Sequence, residues 1–445
     1  MSSRSRVISL AVIAALAFAV WGTTKSRTPD GTAEAGTAPI QPAPRALAAG
    51  SPAPAVAQAP GPAKMQAQTQ VPVAARAPAP AAPFAPAPSA APYAQTARTE
   101  TVRPEIDRQA GLDAGTVALW EDWRQRFLTP EGRVIDTGNG GISHSEGQGY
   151  GLLLSVLMGD RASFARIWSW TYTTLFVRDD GMMAWRYDPK ADPAVTDRNS
   201  ASDGDILAAW ALAEAGRRWS DDRYREAAAE LATAIRRTVI VEHAGRLMVL
   251  PGQEGFRRDP AVVVNPAYWV LPAFPVLAEI DPEGAAVWNR LAAETPAVMA
   301  AVRFGNPALP PEWVVAEPDG AFSLPQDPNF PAAFGYNAVR VPLYLAWAGM
   351  LDPGLPIYVD LDRLWPSGAA RTADRPQVVA LPEGRVTERG SDAGFRAVAG
   401  LVACIVHDRP MPADVTAVDD DASYYAASLT LMVRLAAAGR KPACL

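Results

Sequence analysis

Six segments of this chain open on polar or aromatic residues and then turn apolar on every face. They are "SEGQGYG" from Ser145, "SDGDILAAW" from Ser202, "NPAYWVL" from Asn265, "GYNAVRVP" from Gly335, "SDAGFRA" from Ser391 and "DASYYAA" from Asp421. A helix that is apolar all round is buried all round. Between them lie helices of the ordinary amphipathic kind, such as "DDRYREAAAELATAIRR", with one charged face. Buried helices alternating with half-buried ones predict two concentric layers, six inner helices inside six outer ones. If each inner helix returns through an outer one, all six inner N-termini meet at one end, and their polar starts surround a single cleft. The expected helices span 113–128, 146–158, 161–175, 203–217, 220–238, 266–280, 284–303, 335–350, 391–407 and 421–438, with weaker candidates near 355–364 and 410–416. Short strand-like pieces, "GRLMVLPG" and "PEWVVAEPDGAFSL", read as decorations on an all-α body.

Two of the six starts carry acids. Ser145-Glu146-Gly147-Gln148 has the form of a capping box, with Ser145 as N-cap and Gln148 reaching back. Ser202-Asp203-Gly204-Asp205 repeats that register. Acids are favoured at helix N-termini by about 0.3–1 kcal/mol, so either start alone reads as structural. The glycines argue for more, because each costs about 1 kcal/mol inside a helix. Bare backbone beside Glu146 is expected to let a flat, polar, extended ligand come close. Trp185, in the loop "DGMMAWRYD", is expected to be an exposed platform for a sugar ring, whereas Trp168, Trp170 and Trp210 have the spacing of core residues. Two carboxylates with exposed aromatics suggest glycoside hydrolysis by an acid and a base. A helix N-terminus lowers a carboxyl pKa, but a general acid needs it raised. A neighbouring Asp203 anion and burial under a bound sugar would reverse the sign.

The rest of the chain sets the context. Two arginines precede an apolar run from Val7 to Trp21, interrupted by Ser9, the pattern of an export signal. No small-x-small site follows it, so residues 1–26 read either as a cleaved signal or as an uncleaved anchor. Residues 27–100 alternate proline and alanine and cannot bury enough surface to offset their ordering entropy. They read as a tether, leaving 101–445 as the catalytic domain in a periplasmic or secreted protein. The net charge of −6 argues against nucleic acid or anionic lipid as a partner, so membrane contact is expected only through the N-terminal segment. Of the two cysteines, Cys404 lies within the apolar run "AVAGLVACIVH" and is read as a small packed hydrophobe, although an oxidising compartment permits its pairing with Cys444. With three histidines and no Cys/His cluster, neither a metal site nor a cofactor is expected, and a monomer is expected.

Several motifs together carry a family likeness. "SHSEGQGYGLLLSV", "MAWRYD", "NSASDGDILAAWALAEAGRRW", "VVNPAYWVLPAF", "LPPEWV" and "FGYNAVRVPLYLAWAG" resemble glycoside hydrolase family 8, in the family's order, over Ile106 to Arg440. They look most like the endoglucanases that accompany bacterial cellulose synthesis. The resemblance implies an (α/α)6 barrel, an inverting mechanism and a β-1,4-glucan chain as substrate, with the cellulose synthase complex as a partner to consider. It implies that Glu146 is the proton donor. Asp203 matches the signature aspartate, read in the family as nucleophile, as base or as a grip on the sugar. Trp185 matches a stacking tryptophan, and Tyr268 and Arg340 match residues beside the water and the reacting sugar. Tyr336 and Asn337 join the substrate-binding set. Two positions depart from the pattern. Ala208 replaces a larger apolar residue, and Asn337 stands where many members carry the aspartate that serves as base. A neutral amide cannot take a proton from water in that way. Other β-1,4-linked polysaccharides (chitosan, mixed-linkage glucan, xylan) and a base-deficient glucan-binding protein therefore stand as alternatives.

Overall fold

The computed structural model describes residues 112–305, 308–351, 364, 375–412 and 422–445. The export segment, the Pro/Ala stretch and most of the two weaker helix candidates lie outside these residues. Ten α-helices are present among the described residues: α1 (Ala114–Phe127), α2 (Ser145–Leu157), α3 (Arg161–Leu175), α4 (Ser202–Arg218), α5 (Asp222–Thr238), α6 (Phe274–Ile280), α7 (Ala285–Ala301), α8 (Arg340–Trp347), α9 (Ala393–His407) and α10 (Tyr424–Arg440). The inner ring runs α2, α4, α6, α8, α9, α10 and back to α2, with α8 reaching α6 through the 3-10 turn that precedes it. Outside it, α3 packs on α2, α5 on α4, α7 on α6 and α1 on α10.

Burial follows the two kinds of sequence. On inner helix α4, the first twelve residues, Ser202 to Ala213, are all buried. On outer helix α5 burial is confined to Tyr224, Ala228, Leu231, Ala232, Ala234 and Ile235, the i, i+4, i+7, i+8 stripe of one face. Each Leu or Ile taken fully from water contributes about 1.5–3 kcal/mol, and this stripe fastens α5 to α4. The α6 segment is shorter than its pattern predicts. Pro272 and Pro275 in "VLPAFPVLAEI" cannot donate backbone hydrogen bonds, so the chain passes through 3-10 turns at Pro266–Tyr268 and Leu271–Ala273 before α6 begins.

Among the described residues there are four antiparallel sheets: β1 (Ser143–His144), β2 (Arg186–Tyr187) and β3 (Val195–Asp197); the hairpin β4 (Ile240–His243) and β5 (Arg246–Val249); β6 (Arg257–Arg258), β7 (Ala261–Val264), β8 (Val314–Ala316) and β9 (Phe322–Ser323); and β10 (Ala333–Phe334), β11 (Arg375–Ala380) and β12 (Arg385–Gly390). The β11–β12 hairpin and the β6–β7 pair were not foreseen from the sequence. Cys404 and Cys444 form a disulfide, which corrects the reading of Cys404 as a lone hydrophobe. Both sulfurs are buried in the same core that hides the α9 face.

The helix starts also differ from the capping-box expectation. His144 caps α2, its Nδ1 accepting the Gly147 N–H at 3.0 Å. Ser145 Oγ and Ser202 Oγ are buried without a hydrogen-bond partner. Gln148 turns inward, accepting the Val134 N–H at 2.7 Å and donating to Gly132 O and Thr171 Oγ1. A buried amide with four bonding positions is better satisfied there than by one backbone N–H at the helix start.

Candidate active site

Gly149 and Gly204 face the neighbouring helix and not an open cleft, and Gly147 faces the Tyr424 hydroxyl at 3.1 Å and the His144 ring. A Cβ on Gly204 would lie 2.5 Å from the Ser145 carbonyl carbon and 2.6 Å from Glu146 N. One on Gly149 would lie 2.8 Å from Leu207 Cβ. The expectation that bare backbone admits a ligand is therefore corrected: it admits the other helix. The gain is that α2 and α4 approach closely enough for their first carboxylates to meet.

They meet on one arginine. Arg340, the first residue of α8, is fully buried, and its Nη1 donates to Glu146 Oε2 at 2.7 Å, to Asp203 Oδ2 at 2.9 Å and to Tyr150 OH at 3.1 Å. Its Nη2 donates to Asn337 Oδ1 at 2.7 Å. The Asp203 side chain is 1 % exposed and that of Glu146 17 %, so Glu146 is the carboxylate a ligand can reach. Burial, then the Glu146 charge, push the Asp203 carboxyl up to about 7 against the opposing pull of Arg340. The physical reason is charge balance. One guanidinium offsets one carboxylate, and a second uncompensated buried anion is costly, so the pair retains a proton into the neutral range.

His144 stands one step behind. With Nδ1 accepting, its ring proton lies on Nε2, 3.2 Å from Asp136 Oδ2. Burial alone would lower its pKa, but the bond to Asp136, the Asp136 charge, and then Glu146 and Asp203 raise it.

Of the residues expected at the site, Glu146, Asp203, Asn337 and Arg340 share one hydrogen-bonded cluster. Tyr268 lies beside it, its ring 5.5 Å from the Arg340 guanidinium; burial, then the Asp203 charge, hold its hydroxyl proton tightly. Tyr336 is half-buried, donates its hydroxyl to Glu388, and receives the Tyr425 hydroxyl on its carbonyl. Trp185 is 7 % exposed and packs with Ala201 and Tyr268. It is a buried wall of the site and not an exposed platform, because its backbone ties β2 to α2 by accepting the Ser145 N–H at 3.0 Å. Trp168 and Trp210 are buried as expected, and Trp170 is partly buried against Tyr187.

Sequence reading missed Tyr150, His144, Asp136, Glu388 and Glu312. Tyr150 follows Glu146 by four residues and so lies on the same helix face. Glu312 lay in view within "LPPEWV": an acid among prolines and apolar residues, without a basic neighbour to pair with, is a signal of burial beside something polar.

A family model described as Glycosyl hydrolases family 8 matches residues 109–439. The chain belongs to this family. A probable endoglucanase of Novacetimonas hansenii is 36 % identical over 320 residues, 72 % of this chain and 90 % of the relative. An endoglucanase of Cellulomonas uda is 38 % identical over 234 residues, 53 % of this chain; the match spans 63 % of that relative, less than two thirds of its length. Among solved structures, an endo-β-1,4-glucanase from Acetobacter xylinum superposes with a TM-score of 0.65 at 35 % identity, covering 72 % of this chain and 97 % of that one. A family 8 endoglucanase from Klebsiella pneumoniae gives a TM-score of 0.65 at 34 % identity, covering 72 % and 98 %. Helix content, ring order and these superpositions establish the (α/α)6 barrel of this glycoside hydrolase.

Proposed function

We propose that this family 8 glycosidase is an endo-β-1,4-glucanase that cuts an uncharged glucan chain with inversion, Glu146 protonating the leaving oxygen. The observation that carries this reading is the Glu146–Arg340–Asp203 cluster. It supplies a reachable carboxyl, a like-charged partner pushed up to about 7, and a fixed cation. A pair that retains one proton into the neutral range is suited to general acid catalysis, which needs a proton available at working pH. The endoglucanase activity of its relatives supports a glucan as substrate.

The setting is proposed on separate grounds. The arginines and apolar run at the N-terminus, together with the Cys404–Cys444 disulfide, support an exported protein, either periplasmic or secreted, with residues 101–445 as the working domain. The likeness to cellulose-synthesis endoglucanases supports trimming of nascent glucan beside a synthase complex.

The neutral Asn337 favours one competing reading, a glucan-binding protein without turnover. Incubation with a soluble cellulose derivative separates the two. A rapid fall in viscosity with few new reducing ends marks an endo-acting enzyme, and binding without turnover would overturn the proposal. Chitosan, mixed-linkage glucan and xylan in the same assay set the substrate range. In the Glu146→Gln variant, which keeps the Arg340 contact but has no proton to give, kcat should fall about 10²–10⁴-fold with the melting temperature nearly unchanged.

A further inference from the structure

An inverting hydrolase needs a second carboxylate with room for a water between it and the acid, about 6.5–9.5 Å away. Asp203 does not meet that requirement. Two oxygens held on one nitrogen at 2.7 and 2.9 Å are closer than such a spacing allows. Asn337, at the family's base position, is neutral. We propose that Glu312 is the general base, taking the proton from a water that the Asn337 amide holds in place; this rests on the inverting reading given above.

Four observations lead to Glu312. Its Oε1 accepts the Asn337 backbone N–H at 3.0 Å, and the Asn337 side chain stands near enough to offset part of the rise in its pKa. Arg340 Nη2 fixes Asn337 Oδ1, so the amide's NH₂ group is left to donate to the oxygen of a water. Gly335 clears the space: a Cβ there would lie 2.8 Å from Glu312 Oε1. Among the described residues no ion pair involves Glu312, and burial raises its pKa, which strengthens it as a base.

The arginine also sets the acid and Asn337 apart. Glu146 is bonded to Nη1, whereas Asn337, which bonds Glu312, is bonded to Nη2. The acid and the Asn337 amide thus stand on different nitrogens of one rigid, planar guanidinium, and the proposed base is bonded to the Asn337 backbone beyond them. In the reaction the water oxygen bonds the anomeric carbon while the glycosidic C–O bond breaks. Its electron pair goes to the leaving oxygen, which takes the Glu146 proton, and the water proton goes to Glu312. Solvent exchange between turnovers returns a proton to Glu146.

The deciding variant is Glu312→Gln, which keeps an oxygen for the Asn337 N–H but cannot hold the proton. It should lower kcat about 10²–10⁴-fold with unchanged KM and melting temperature. It should also abolish the acidic limb of the kcat/KM profile, which a purely structural role would leave in place. Adding Asn337→Asp to Glu312→Gln should restore turnover by setting a carboxylate directly against the water. In Glu312→Ala, azide should restore glycosyl transfer and give the α-glycosyl azide. Retention of more than a tenth of the activity by Glu312→Gln would overturn the assignment. So would the same loss and rescue at Glu388, the half-buried carboxylate beside Tyr336. The anomer first released by the wild-type enzyme, read by NMR, keeps the two readings apart. A β-anomer sinks the inverting mechanism itself, whereas an α-anomer with a fully active Glu312→Gln sinks only the base.

Discussion

Asp205 accepts the Met183 backbone N–H at 2.8 Å on one oxygen, and its other oxygen is buried without a partner. Two residues earlier Asp203 shares Arg340, so the two acids of one helix start have different surroundings and different roles. Burial drives the Asp205 pKa well above the carboxylate range; the Met183 bond and Arg178 oppose this only in part. Its role is to hold the loop that carries Trp185 against α4. A group whose folded pKa is raised stabilises the fold fully below its unfolded value, about 3.9. That contribution is lost as pH rises toward the folded value. Asp205→Asn keeps the Met183 bond and never ionises. Its melting temperature should match the wild type near pH 4 and exceed it by a growing margin, a few degrees, as pH rises to 8. A margin that stays constant over that range would mean that Asp205 ionises normally in the fold.

At the scale of elements, the contact between α2 and α4 determines whether Glu146 and Asp203 share a cation. Gly204 is the closest point of that contact. An alanine there gains about 1 kcal/mol of helix propensity but drives its methyl into the Ser145 and Glu146 backbone. Overpacking of this kind costs about 1–3 kcal/mol, and backbone has less room to adjust than a side chain. Gly204→Ala should therefore lower both melting temperature and kcat by separating the carboxylates. Gly439, late in α10, has nothing within 4 Å of its Cβ position, so Gly439→Ala should raise stability and leave kcat alone. Equal behaviour of the two variants would remove the helix-contact argument. These glycines also show how far the sequence could be read. The inner helix starts were visible as polar residues leading apolar runs, and Glu146 and Asp203 were visible as acids at two of them. What a bare Cα faces cannot be read from a linear chain, because a glycine under a ligand and one under a neighbouring helix look alike. The same limit hid the burial of Trp185, over whose ring the Arg186 guanidinium lies at 6.0 Å, and the convergence of Glu312 on Asn337 across 25 positions.

For the whole molecule, parallel inner helices separate chemistry from closure. Glu146, Asp203, Arg340 and Tyr425 all lie in the first turns of α2, α4, α8 and α10, at one end of the barrel. Cys404 lies near the far end of α9, and Cys444 follows the far end of α10, with Lys441 Nζ donating to Cys404 O at 2.9 Å beside them. The disulfide thus fastens the last two inner helices at the end opposite the site and closes a loop across a sequence separation of 40. A loop of that length is worth about 2–4 kcal/mol by restriction of the unfolded chain. The double variant Cys404→Ala/Cys444→Ala should melt several degrees lower, and reduction of the wild type should reproduce the shift. Its kcat at 25 °C should stay within about twofold of wild type, because a loss held in the unfolded state leaves native geometry alone. If kcat fell in step with the melting temperature, the two ends of the barrel would be mechanically coupled, and the cross-link would be setting the geometry of the Arg340 cluster through α9 and α10.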